Sequence, residues 1–144
     1  MGEYTENSLK PQNLIEVLNI LFWFSATLLG VSTTVFGIIK AGFYFNVDLL
    51  INLKTANVAL NESLVNKINQ SFEATPEILA SLQTTAFTSS INLGASGLFI
   101  IFIKLKSSPR RQTIILSLLI LLSVSVALSF YYLLIAIYSL GLII

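Results

Sequence analysis

QSFEATPEIL, residues 70–79, is the stretch on which the helix count turns. Thr75 offers a hydroxyl that can accept a backbone N–H. Pro76 has the fixed φ and missing N–H that suit a first helical position, and Glu77 puts a carboxylate in the first turn. Read this way, one helix ends near Glu73 and another begins at Pro76. Working outward, Ser108-Pro109 repeats the signal, and Pro11 precedes an apolar run that opens at Leu14. Asn46, with Asp48 two residues on, gives a fourth start. Gly42 is expected to permit the first corner, beside Phe43, Tyr44 and Phe45. The sequence thus predicts helices over about 11–41, 47–73, 76–106 and 109–143. Their tight corners imply antiparallel neighbours: an all-α, up-down four-helix bundle forming a single domain over 1–144.

Composition says where the surface of such a bundle goes. Hydrophobic residues are 55 % of the 144, charged residues 10 %, and the mean hydropathy is +0.84. Soluble domains carry about 25 % charged residues. So few charges cannot cover a lone globule, and apolar surface must face lipid or copies of the chain. There is no Cys and no His. That excludes thiol chemistry, disulfides, zinc and copper sites of the common kinds, and imidazole acid–base catalysis.

The segments differ. Leu14–Ile39 and Ile114–Ile144 are apolar nearly all round and longer than the roughly 20 residues needed to cross a bilayer. The serines of the last segment (Ser117, Ser123, Ser125, Ser129 and Ser139) are expected to bond back to their own helix carbonyls. In the second segment Leu53, Leu60, Leu64 and Ile68 share one face, opposite Ser63, Asn66, Gln70 and Glu73, which describes a half-wet helix. The third is polar at first and apolar over Leu98–Ile103. Small residues that let helices approach closely fall at Gly37 and Ala41, at Ser90 and Gly94, and at Gly97. Asn92, if buried, requires a partner and reads as a structural amide.

The formal charge is +1. Four antiparallel helices would gather Lys40, Lys54, Lys104, Lys106, Arg110 and Arg111 at one end with Asp48, for a net +5. Glu3, Glu6, Glu16, Glu62, Glu73 and Glu77 would meet Lys10 and Lys67 at the other, for −4. A basic end of this kind attracts phosphate, from nucleic acid or from anionic lipid. No cofactor-binding motif and no catalytic pairing stands out, so no enzyme activity is expected. Asn61-Glu62-Ser63 and Asn69-Gln70-Ser71 match glycosylation sequons. The residues before Leu14 hold Glu3, Glu6 and Lys10, which does not suit the basic start of a secretory signal.

Four hydrophobic helices with tight corners resemble the major capsid proteins of tailed spindle-shaped archaeal viruses. The Cys-free, Ile-, Leu-, Asn-, Ser- and Tyr-rich composition suits the same origin. The resemblance implies a self-assembling coat subunit in a virion, packed laterally on copies of itself through apolar helices, with double-stranded DNA at the basic end. The alternative from the residues alone is a small integral protein of a cell membrane, an accessory or scaffold subunit meeting lipid and other membrane subunits. Three spans would then leave residues 42–86 outside and the basic 104–111 connection in the cytoplasm.

Overall fold

The computed structural model describes residues 11–56, 61–104 and 109–141, and within these it is all helix apart from Ala56 and Asn61 at helix ends. Three long helices pack up and down, not four. α1 runs Pro11–Thr55, α2 Glu62–Lys104 and α3 Pro109–Gly141. At 1.5 Å per residue they are about 68, 65 and 50 Å long. The start expected at Pro109 agrees with α3, whereas the corner at 107–108 lies outside the described residues.

Two expected breaks are absent, for different reasons. Gly42 lies inside α1, and the helix continues through Phe43–Asn46. One glycine costs a helix only about 1 kcal/mol, and no proline follows to stop it. Phe43 instead packs edge-on against Phe72 of α2, ring centroids 5.2 Å apart, which joins the two helices at this level. Pro76 lies inside α2. It is exposed, so its ring points away from the neighbours, while Thr75 and Ile78 on either side are buried. The missing N–H leaves the Phe72 carbonyl without its usual partner. Packing on both sides outweighs that loss.

α1 ends at Thr55 and α2 begins at Glu62. Asn61 caps α2: its Oδ1 accepts the Ser63 N–H at 3.0 Å, and its carbonyl accepts the Val65 N–H at 3.1 Å. Lys54 stands in the last turn of α1 and Glu62 in the first turn of α2, each matching the helix dipole. The expected second segment is therefore divided. Leu53 belongs to α1 and Ile68 to α2, and Leu60 lies outside the described residues.

A 3–4 alternation of inward positions builds the bundle. On α2 it runs Thr75, Ile78, Leu82, Thr85, Ser89, Asn92, Ser96 and Ile103, all buried, with Phe99 partly so. On α1 it runs Leu14, Leu18, Leu21, Ser25, Leu28, Ser32, Val35 and Ile39. On α3 it runs Leu122, Val126, Ser129, Leu133, Ala136 and Leu140. Such spacing keeps one stripe of each helix on its neighbour. One apolar cluster joins Leu14 and Leu18 to Ile103, Ile115 and Leu122. A second joins Leu28 to Ile78, Leu82, Val126, Leu133 and Ala136. The first fixes the up-down order, because the start of α1 meets the end of α2 and the start of α3. α1 and α2 run on as a two-helix extension beyond Leu140, the level at which α3 reaches Ile39 and Ala74.

Replacing Pro76 by Ala restores the missing N–H within a continuous helix. Pro76→Ala is expected to raise stability by on the order of 1–3 kcal/mol in reversible unfolding. A loss of stability would instead mean that a helix begins at Pro76.

Candidate functional site

The interior holds many small polar side chains. Ser25, Ser32, Thr75, Thr85, Ser89, Asn92, Ser96 and Ser129 are buried. Ser25, Ser89 and Ser96 are 0 % exposed, while Trp23 is 69 %, Phe45 68 % and Leu98 67 % exposed. Among the described residues 27 large hydrophobic side chains are exposed against 11 buried hydrophobic residues. In a water-soluble domain the large apolar groups would be inside. Exposed apolar area of this extent requires a cover of lipid or protein.

Most hydroxyl groups bond to carbonyls of their own helix, buried Ser32, Thr85 and Ser129 included. Among those facing outward, Thr27 donates to the Trp23 carbonyl (2.9 Å), Thr33 to Leu29 (2.7 Å), Thr34 to Gly30 (2.8 Å) and Ser90 to Ala86 (2.9 Å). Ser123 likewise donates to Leu119 at 2.9 Å, as expected for the serines of the last segment. A hydroxyl bonded this way can face hydrocarbon without an orphaned donor. Inward, a chain links two helices. Asn92 Nδ2 donates to Ser129 Oγ at 3.4 Å, Ser129 Oγ lies 2.7 Å from Thr88 Oγ1, and Thr88 donates to the Thr84 carbonyl at 2.8 Å. Asn92 is thus a structural amide that joins α2 to α3. Ser25, Ser89 and Ser96 bury their Oγ with no hydrogen-bond partner. Their small side chains take little room between the helices.

The three-helix order redistributes the charges. Glu16, Lys104, Arg110 and Arg111 share one end, net +2, and Lys40, Asp48, Lys54, Glu62, Lys67, Glu73 and Glu77 fall toward the other, net −1. Lys54 is therefore far from Lys104, and the single +5 end expected from four helices does not form. Lys40 sits at the Ile39 level, its Nζ 5.7 Å from the centre of the Phe36 ring. Lys106 lies outside the described residues. Between the two ends, residues 17–39, 78–103 and 112–141 carry no charged side chain. These stretches are about 34, 39 and 45 Å long. All three helices are long and apolar enough to cross a membrane, by length and composition.

The small residues singled out from sequence occupy different settings. Gly37 and Gly94 are open, with nothing within 4 Å of where a Cβ would stand, and Ala41 and Ser90 are exposed. Gly97 faces Phe22, whose ring would be 3.9 Å from an added Cβ, an ordinary contact. None of the five is a tight crossing within one chain. Sequence reading missed the inward stripe of serines, although its signal was present: Ser25 and Ser32, and Ser89 and Ser96, are seven residues apart. It also took Asn61 as part of a sequon rather than as a cap.

Among the described residues no three acidic, Cys or His side chains converge as metal ligands. Compared with family models, curated proteins and solved structures, the chain matches none.

Partnered and unpartnered serines should respond differently to truncation. Ser129→Ala is expected to cost about 0.5–1.5 kcal/mol, since it strands Asn92. Ser25→Ala and Ser89→Ala should change stability by less than about 0.5 kcal/mol or raise it, because each removes an uncompensated hydroxyl. Equal losses in the unfolding of all three variants would contradict this assignment.

Proposed function

We propose that this chain is a three-span integral membrane protein with a structural role, an accessory or scaffold subunit that works through helix packing rather than catalysis. The observation that carries the reading is the extent of exposed large apolar side chains over charge-free stretches in all three helices, with small hydroxyl side chains among the buried residues. Each stretch exceeds the roughly 30 Å hydrocarbon thickness. Exposed Tyr131 and Tyr132 lie about 30 Å along α3 from Arg111, where an aromatic belt is favoured. The clustered Lys104, Lys106, Arg110 and Arg111 assign that connection to the cytoplasmic side. The extension built from the end of α1 and the start of α2 then projects on the opposite side. It offers partners a two-helix surface, with Tyr44 and Phe45 exposed.

A self-assembling coat is the second reading. Copies of the chain would cover the apolar faces that lipid otherwise covers. Its phosphate contacts would be split between two ends, because Lys54 and Lys104 do not meet. That division favours the membrane.

Sidedness separates the two. The chain has no Cys, so Lys54→Cys and Lys104→Cys report individually. In sealed vesicles an impermeant maleimide is expected to reach residue 54 from one face and residue 104 only from the other. Labelling of both from the same face, or equal protection of both in a nucleic-acid-containing particle, would overturn the membrane reading.

A further inference from the structure

The α2–α3 seam opens toward the basic end. A hollow of about 450 Å³ lies between Leu98, Phe99 and Phe102 of α2 and Ile114 and Leu118 of α3. A second, about 280 Å³, shares Phe99 and Leu118 and continues to Asn92 and Ser125. Together they form one apolar groove from Ile114 to Ser125, about 16 Å along the helix. One leaflet of a bilayer has a hydrocarbon depth of about 15 Å. The groove therefore begins beside the charged end and stops near the depth of the bilayer centre, where its floor turns polar. The mouth is set between the last turn of α2, which carries Lys104, and the first turn of α3, which carries Arg110 and Arg111. Glu16 of α1 is the acid at this end among the described residues. The partial positive charge of the α3 N-terminus is offset by the partial negative charge of the α2 C-terminus, so the attraction for an anion rests on the basic residues.

We infer that this groove holds one acyl chain of an anionic phospholipid from the leaflet on the basic side, with the phosphate held near Lys104, Arg110 and Arg111. The inference rests on the membrane reading above. It goes further by assigning a particular site, a particular leaflet and a headgroup charge. Several physical features favour lipid over a fourth helix. The hollow is an acyl-chain slot that ends at mid-depth, a helix would continue past Ser125, and basic pockets between spans are suited to phosphate headgroups.

The full chain would be reconstituted into vesicles of equal phosphatidylcholine and phosphatidylglycerol, floated after an alkaline wash, extracted in mild detergent and assayed for bound phospholipid by mass spectrometry. Phosphatidylglycerol is expected to be enriched about fivefold over the vesicle ratio. The Lys104→Gln, Arg110→Gln, Arg111→Gln variant should return to the vesicle ratio. Leu118→Trp, which fills the slot, should lose bound lipid of both classes, while Ile120→Trp on an exposed face of the same helix should retain it. Absence of enrichment in the native chain, or undiminished enrichment in the triple-Gln variant, would overturn the inference. So would copurification of a stoichiometric protein in place of lipid. Failure to float would overturn the membrane reading itself, which keeps the two failures distinct. If Leu118→Trp does not fold, the charge variant, altered only at the helix ends, still decides the question.

Discussion

The inward stripe of α2, from Thr75 to Ile103, is the contact on which the rest of the molecule depends. Both other helices pack on it: α1 through Leu14, Leu18 and Leu28, and α3 through Leu122, Val126 and Leu133. Its middle, from Thr85 to Ser96, consists of small hydroxyl and amide residues, flanked by Ile78 and Leu82 on one side and Phe99 and Ile103 on the other. The apolar members fill space, and the small ones set how near the neighbouring backbones come. In the proposed membrane setting, helices gain little from excluding water, and close van der Waals approach and interhelical hydrogen bonds would carry the association. The Asn92–Ser129–Thr88 chain is one such bond set, at the level where α2 and α3 meet.

Polar groups are placed according to what surrounds them. On the outer face, Thr27, Thr33, Thr34, Ser90 and Ser123 give their protons to carbonyls of their own helices. No water is required there. On the inner face Ser32, Thr85 and Ser129 likewise donate to carbonyls of their own helices, whereas Ser25, Ser89 and Ser96 stay unpartnered. The open glycines, Gly37 and Gly94, add small notches to the outer surface. They leave room for a neighbouring helix or a lipid chain, and neither strains the bundle.

Helix count governs the electrostatics. Four helices would return Lys54 to the end that holds Lys104, whereas three put a whole bundle length between them. The same change turns residues 41–74 from part of a compact rod into a two-helix extension pinned by Phe43 on Phe72. Among the described residues the other end keeps Lys104, Arg110 and Arg111, and the hollow between α2 and α3 lies toward that end.

The sequence by itself determined the all-helical class, the antiparallel order, the start at Pro109, the shortage of surface charge and the lack of thiol and imidazole chemistry. Each follows from composition or local periodicity, which act over a few residues. Thr75-Pro76-Glu77 carried the right local preferences for a helix start, yet the helix passes through. A proline costs a helix on the order of 3 kcal/mol. Contacts of Phe72, Thr75 and Ile78 with α1 and α3 outweigh it, and those contacts join residues far apart in the chain. Gly42 failed as a corner for a related reason, because a lone glycine is a weak breaker beside a packed Phe43. The serine stripe was legible as a seven-residue spacing, but its inward direction was not. A serine at a given spacing suits a wet face as well as a close crossing. Only the tertiary structure, by turning the larger side chains outward, decided which face was the interior.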